Sequence, residues 1–282
     1  MTANPGDESD DAELKRLIAP LREAPQRAAI LTDIDGTIAP IVLDPSEAGV
    51  PERTRELLRE LAGRYALVGC LTGRRALDAR RLVGLDELAY SGNHGFELLL
   101  PGESEVRPDP SLSGHEADVP GFVEGLDPSE LERVGIRSED KGPIIALHWR
   151  GAPNEEAAES LAKEIAGEAE RRGLIPHRGR KVLEIRPNVP IDKGVAVAGL
   201  LPASSVGENA GPIDTALYGG DDRTDVDAFT ALRALEREGE LRAAACIAVA
   251  SHESPPEVSR DADLTVEGPE GFVRVLEALA AP

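Results

Sequence analysis

The stretch Ala28–Ile41, AAILTDIDGTIAPI, decides the fold. Its apolar run, Ala28 to Leu31, reads as a buried strand. The run ends abruptly in Thr32-Asp33-Ile34-Asp35-Gly36-Thr37. Two carboxylates two positions apart at the end of a buried strand are costly unless something neutralises them. A hard cation with oxygen ligands does so, and Mg²⁺ is the usual choice where a phosphate is also present. Gly36 lets the backbone turn sharply and approach a ligand closely. Thr37 adds a hydroxyl. Alone, DxDG is equally an ordinary turn after a strand, so the rest of the chain must choose between the two.

On the C-terminal side, Pro51–Leu61 has Pro at a first helical turn and Leu at helical spacing. Ala66–Leu71 is a second apolar strand, followed at once by Thr72-Gly73-Arg74, and Arg75–Val83 continues as a helix. Ala89–Ser91 is a third strand, ending in Gly92-Asn93-His94-Gly95. Strand, helix, strand, helix, strand predicts a doubly wound parallel sheet, a Rossmann-like α/β fold. Ligand loops gather at the carboxyl ends of such strands. The same pattern returns later. Asp192–Leu200 opens a helix with Lys193-Gly194, and Thr215–Tyr218 is a strand running into Gly219-Gly220-Asp221-Asp222-Arg223-Thr224-Asp225. Helix Val226–Glu236, strands Ala243–Val249 and Asp263–Val266, and helix Gly271–Ala280 complete it.

Between the two halves the composition changes. Pro, Gly, Ser, Asp and Glu dominate 101–140, followed by a strand Ile144–His148 that runs into Trp149 and Arg150. Asn154–Arg172 reads as a helix with a cap and acids at its start and arginines at its end, as the helix dipole favours. Lys181–Ile185 is a further strand. The predicted organisation is a core of 25–103 and 188–282, an inserted α+β unit of 104–187, and an acidic N-terminal extension of 1–24. In that extension, residues 1–12 read as disordered, and Ala12–Glu23 as a helix interrupted by Pro20.

The chain has 282 residues with 41% apolar but only 3% aromatic content, so its core must be built from Ala, Val, Leu and Ile. The formal net charge of −21 would repel nucleic acid and anionic membranes. A phosphate site in such a chain must be a local positive island. No apolar stretch approaches the ~20 residues needed to span a bilayer. The polar, acidic N-terminus is the opposite of a secretory signal. Cys70 and Cys246 each lie inside an apolar run and read as buried small hydrophobes rather than a disulfide. A cytoplasmic location and a monomer are expected.

Four loops stand out: Asp33/Asp35, Thr72, Lys193, and Asp221/Asp222/Asp225. Acidic loops from both ends of the core sequence would share a cation, and a lysine and a threonine hydroxyl would offset a phosphoryl group. Those are the parts for phosphoryl transfer through an aspartyl intermediate.

In this set and order, DIDGT, LTGR, a lysine and GDDRTD resemble a phosphatase of the haloacid dehalogenase-like superfamily. More narrowly, DIDGTIAPI, LTGR, GNHG, SEDKGPIIALHWR, KVLEIRP, DKG and GDDRTDVDAF resemble the trehalose-6-phosphate phosphatase family, over nearly all of 25–280. The resemblance implies a dehalogenase-type core with an inserted cap, and Mg²⁺-dependent hydrolysis of trehalose 6-phosphate to trehalose and phosphate. It makes Asp33 the nucleophile and Asp35 the acid, then base, for the two half-reactions. It places Mg²⁺ on Asp33, the Asp35 carbonyl and Asp221, with Asp222 and Asp225 at or near it. Thr72 and Gly73 would grip phosphoryl oxygens and Lys193 would balance their charge. Arg74, Asn93 and His94 are further substrate-side candidates. In the cap, Glu139, Lys141 and Glu184 would bind the distal sugar through charge-assisted hydrogen bonds. His148 and Arg150, then Arg178, Arg180, Lys181 and Arg186, are secondary candidates there. Val226 stands where the family commonly has an acid. The cap is expected to close over the core about its two Pro-containing connections. Sucrose 6-phosphate or mannosyl-3-phosphoglycerate are alternative substrates. A non-catalytic sugar-phosphate binder or a synthase's regulatory half is a further alternative, against which stand the intact Asp33 and Asp35 and the lack of an attached synthase domain.

Overall fold

A computed structural model describes residues 5–42, 48–179, 181–203, 211–251 and 254–282. The chain divides into two compact units, 1–107 with 191–282, and 108–190.

In chain order, the first unit starts with α1 (Pro5–Glu23), β1 (Ala28–Thr32), α2 (Glu52–Ala62), β2 (Leu67–Leu71), α3 (Ala76–Val83) and β3 (Ala89–Gly92). Strands β4 (Glu97–Leu99) and β5 (Arg107–Pro108) close its first segment. The second unit holds α4 (Asp118–Val123), α5 (Pro128–Val134), β6 (Arg137–Asp140), β7 (Ile145–His148), α6 (Glu155–Arg171), β8 (Ile175–Gly179) and β9 (Val182–Arg186). The first unit then resumes with α7 (Lys193–Ala203), β10 (Thr215–Gly220), α8 (Asp225–Glu238) and β11 (Ala243–Ala250). It ends with α9 (Pro256–Arg260), β12 (Leu264–Glu267) and α10 (Gly268–Ala280).

The first unit's sheet runs β12-β11-β10-β1-β2-β3-β4-β5. The β12-to-β3 ladder is parallel, and β4 returns antiparallel to β3. All five residues of β1 and of β2 are buried, which is why these strands read as continuous apolar runs rather than alternating ones. Successive side chains serve opposite faces. Ala28 and Ile30 join a core with α1, α2, α3 and α10, while Ala29 and Leu31 join one with α7, α8 and α9. The chain winds one way from β1 to β3 and the other way from β10 to β12. Strands β1 and β10 therefore flank a switch point, where the carboxyl ends open a crevice.

The N-terminal extension departs from its reading. Helix α1 begins at Pro5 and runs on through Pro20. Leu14, Ile18 and Leu21 are buried in the core with Leu276 and Leu279 of α10. The burial of those three residues outweighs the acidic composition around them. Residues 1–4 of the stretch read as disordered lie outside the described residues. Ile18 is fully buried, so Ile18→Ala is expected to cost about 2–5 kcal/mol, measured as a lower denaturant midpoint.

The second unit's sheet, β6-β7-β9-β8, is wholly antiparallel. Helix α6 is capped by the Asn154 carboxamide oxygen, which accepts from the Ala157 N–H at 3.0 Å. Its alanine face and Ile165 pack on Leu147, Leu183 and Ile185. One sheet face is thus apolar and covered, while the other carries polar side chains. Among the described residues no helix is long and apolar enough to cross a membrane.

Candidate active site

Asp33 follows β1 directly, and its N–H donates to the Gly219 carbonyl at 2.8 Å. Strand pairing therefore fixes the start of the acidic loop against the start of the other. Gly36 then turns with φ +94°, and a Cβ there would lie 2.2 Å from the Asp221 Oδ2. Only a residue without a side chain lets the two acidic loops approach this closely. The Thr37 hydroxyl donates to Asp221 Oδ1 at 3.2 Å.

Lys193, at the first turn of α7, is buried between two carboxylates. Its Nζ lies 2.8 Å from Asp33 Oδ1 and 2.7 Å from Asp225 Oδ1. Asp225 is a hub. Its Oδ1 also accepts from the Tyr218 hydroxyl at 2.7 Å, and its Oδ2 accepts from the Asp221 and Asp222 N–H groups, each at 2.9 Å. Asp33, Asp221 and Asp225 each offer an oxygen within 4.8 Å of one another, a group that can hold a metal ion. The four contacts on Asp225 leave Asp33 and Asp221 as its more available members. Asp222, expected as a ligand, is outside this group, and its Oδ1 accepts from the Thr224 N–H and hydroxyl at 2.7 and 2.6 Å.

The charges are out of balance. Burial pushes the Asp33 carboxyl up, against the pull of Lys193, and the acids Asp225, Asp221 and Asp222 push it further. Burial, then Asp225 and Asp222, push Asp221 up to about 7. Burial raises Asp225 as well, again opposed by Lys193. Burial works to discharge Lys193, but Asp225 and Asp33 outweigh it and hold the ammonium charged, with its pKa raised. Three buried carboxylates thus share one buried cation. A divalent ion with a preference for oxygen ligands fits this set, because it supplies the missing positive charge to donors of the right kind.

The second loop lies alongside. The Thr72 N–H donates to the Ser91 carbonyl at 2.9 Å, and the His94 N–H donates to the Thr72 carbonyl at 2.9 Å. A Cβ on Gly73 would lie 2.6 Å from His94 Nε2, so the imidazole rests on that glycine. Asn93 and His94 have φ of +50° and +58°, a costly pair of left-handed residues held by their surroundings. Asn93 is buried, and its amide donates to Glu97 Oε1 at 3.0 Å, while Glu97 Oε2 caps α3 by accepting from the Ala76 N–H at 2.7 Å. Expected on the substrate side, Asn93 here braces the loop. Arg74, also expected there, binds Asp35 with a two-pronged ion pair, at 2.6 and 2.7 Å.

In the second unit, directly opposed residues in the antiparallel ladders share a face. Glu139 opposes Ala146, which opposes Glu184, which opposes His177. Glu139, His148, Lys141 and Glu184 form one polar cluster, with His148 Nε2 2.8 Å from Glu139 Oε2 and Lys141 Nζ 2.9 Å from Glu184 Oε1. The hydrogen bond to His148 holds the Glu139 carboxyl below its usual range. Arg186 joins through Glu184 at 2.5 Å. Arg150 faces elsewhere: its charge acts on Glu155, and its carbonyl accepts from Arg137 at 3.3 Å. Arg178 and Lys181 lie elsewhere in the unit, and Arg180 is outside the described residues. Tyr218 was not singled out by sequence. Its signal is a lone hydroxyl inside an apolar strand, which must find a partner when buried.

The trehalose-phosphatase family model matches residues 31–269. The chain is 34% identical to a probable trehalose-phosphate phosphatase of Oryza sativa subsp. japonica, over 74% of this chain and 60% of that protein. It is 32% identical to a trehalose-phosphate phosphatase of Mycobacterium tuberculosis, over 72% of this chain and 51% of that protein. It is likewise 32% identical to a much longer M. tuberculosis protein described as an uncharacterized glycosyl hydrolase, over 79% of this chain and 16% of that one. The chain therefore spans from about a sixth to three fifths of the length of these relatives. In fold it is similar to the C-terminal domain of Candida albicans trehalose-6-phosphate phosphatase, with a TM-score of 0.71 at 22% identity, over 94% of this chain and 96% of that one. A haloacid dehalogenase-like hydrolase from Bacteroides thetaiotaomicron gives a TM-score of 0.60 at 15% identity, over 89% of this chain and 98% of that one. The matched span takes in the DxDG loop, the inserted unit and the Asp221–Asp225 loop, and on it the chain belongs to the trehalose-phosphatase family.

Proposed function

We propose that the chain hydrolyses trehalose 6-phosphate to trehalose and phosphate, with the phosphoryl group carried in between on Asp33. The observation that carries this reading is the buried Asp33 carboxylate, held by Lys193 2.8 Å away and neighboured by the Asp221 carboxylate. Such a carboxylate is fixed, water-poor and beside a permanent positive charge, as a nucleophile for a phosphate ester needs to be.

In the first half-reaction an Asp33 oxygen bonds to phosphorus and the bond from phosphorus to the sugar oxygen breaks. That oxygen takes a proton from the Asp35 carboxylic acid. In the second, the Asp35 carboxylate takes a proton from water, whose oxygen bonds to phosphorus and frees the Asp33 carboxylate. Arg74 pairs with both Asp35 oxygens here, so it would have to release one of them for Asp35 to carry the proton. Thr72 and the Gly73 N–H would hold phosphoryl oxygens, and Lys193 would balance their charge. Mg²⁺ would be held by Asp33, Asp221 and the Asp35 carbonyl; when bound, it supplies positive charge to the phosphoryl group. The polar cluster of Glu139, Lys141, His148 and Glu184 would hydrogen-bond sugar hydroxyls. The two unbridged, buried cysteines accord with a reducing, cytoplasmic setting.

Phosphate release across trehalose 6-phosphate, sucrose 6-phosphate, mannosyl-3-phosphoglycerate and p-nitrophenyl phosphate tests the substrate. The expected preference is for trehalose 6-phosphate, lost in EDTA and restored by Mg²⁺. Preference for another ester would move the substrate, and release undiminished by EDTA would remove the metal.

A further inference from the structure

The second unit carries a cavity on the sheet face away from Glu139 and Glu184. Arg178 opposes Leu183, which opposes Leu147, so Arg178 is on the face that α6 covers. The cavity is about 240 Å³ and lies between α6 and the β8–β9 hairpin. Trp149 and Leu183 line it as the apolar side, and Lys163, Arg178 and Lys181 bring three cations to it, with Glu159 the acid among the lining residues. Glu159 and Glu155 offset Lys163 and Lys181, so the surplus positive charge at the cavity is that of Arg178.

The cavity is tied together. The Trp149 N–H donates to the Lys181 carbonyl at 3.1 Å. Lys181 adopts φ +61°, which an L residue seldom does, and its Nζ is held by Glu155 at 2.7 Å. Lys163 is paired with Glu159 at 2.6 Å. Arg178 makes no ion pair among the described residues. Two lysines in partly exposed ion pairs thus bracket Arg178, itself exposed and near Glu159, beside an indole ring. An oxyanion suits the arginine fork, and a sugar ring suits the aromatic wall. At about 240 Å³ the cavity is smaller than the roughly 300–1,000 Å³ of drug-sized ligand sites, which suits a ligand of about one sugar ring.

We propose that this cavity binds a monosaccharide-sized oxyanion, a phosphomonoester or the matching carboxylate, as a second ligand site apart from the polar cluster on the other sheet face. Binding here would act on α6 and β9, and β9 also carries Glu184.

Trp149 is the only tryptophan of the chain and lines this cavity, so its fluorescence is the probe, and the Arg178 variant separates this cavity from the polar cluster beside His148. The full chain, as Asp33→Asn so that nothing is hydrolysed, is titrated with glucose 6-phosphate, glucuronate, inorganic phosphate and glucose, by fluorescence and by calorimetry. Glucose 6-phosphate is expected to saturate below about 10 mM. Arg178→Gln in the same background should weaken it at least tenfold, and glucose should give no response. Glucuronate as effective as glucose 6-phosphate would assign the site to carboxylates as well as phosphates. Binding of equal strength with Gln at 178, or no saturable signal by either method, would overturn the proposal. Neither outcome depends on which ester the enzyme hydrolyses.

Discussion

Asp33→Asn is expected to lower turnover by about 10⁴-fold or more, the scale on which loss of a nucleophile is felt. An amide cannot carry the phosphoryl group to the hydrolysis step, so no phosphoenzyme should form. The fold should survive the change. Burial and the neighbouring acids disfavour the Asp33 carboxylate. A neutral amide of the same shape removes that cost, and Lys193 keeps Asp225. Rapid-quench labelling with ³²P-substrate checks the first part and thermal unfolding the second. Continued phosphate release by this variant would refute the role of Asp33.

Lys193→Met should do comparable damage by a different route. The ammonium is 2% exposed and pairs with both Asp33 and Asp225. Removing one side of a buried ion pair costs about 3–5 kcal/mol, because the other side stays buried without compensation. The pH dependence has a definite sign. Lys193 pulls Asp33 and Asp225 down against burial, so without it both rise further. An acid whose pKa is higher folded than unfolded gives its stability at low pH and loses it as pH rises through the folded value. Unfolded aspartates titrate at about 3.9, so the variant should lie nearest the parent below about pH 4 and fall away as pH rises above it. Added Mg²⁺ should recover part of the loss. Parallel stability–pH curves for the two proteins would show that the ammonium is not the countercharge.

The parts of this fold legible in sequence were those whose pattern has a single cause. Strands β1, β2, β10 and β11 are apolar runs because parallel strands are covered on both faces, and three of the loops after them read as sites because acids or Thr-Gly follow such runs at once. Strands β6 and β8 gave no such sign. The first, RSED, is fully exposed, and the second, IPHRG, contains Pro and Gly. Helix α1 was obscured because acids surround Leu14, Ile18 and Leu21, although their spacing of four and three is helical. At the site, the residue types were readable but their pairing was not. That Arg74 turns to Asp35, and that Asp225 spends its oxygens on Lys193, Tyr218 and two backbone amides, depends on distances between loops far apart in the chain.

The pairing of Ala28 with Thr215 carries a consequence for synthesis. Strand β1 leaves the ribosome early, yet one of its two neighbours, β10, is made only after the whole of 108–190. The inserted unit is contiguous and can complete itself during translation, whereas the sheet that bears Asp33 must wait with one edge of β1 uncovered. The nascent chain should accordingly protect 108–190 from protease before it protects β1, and the interval between the two is when this protein is most exposed to aggregation.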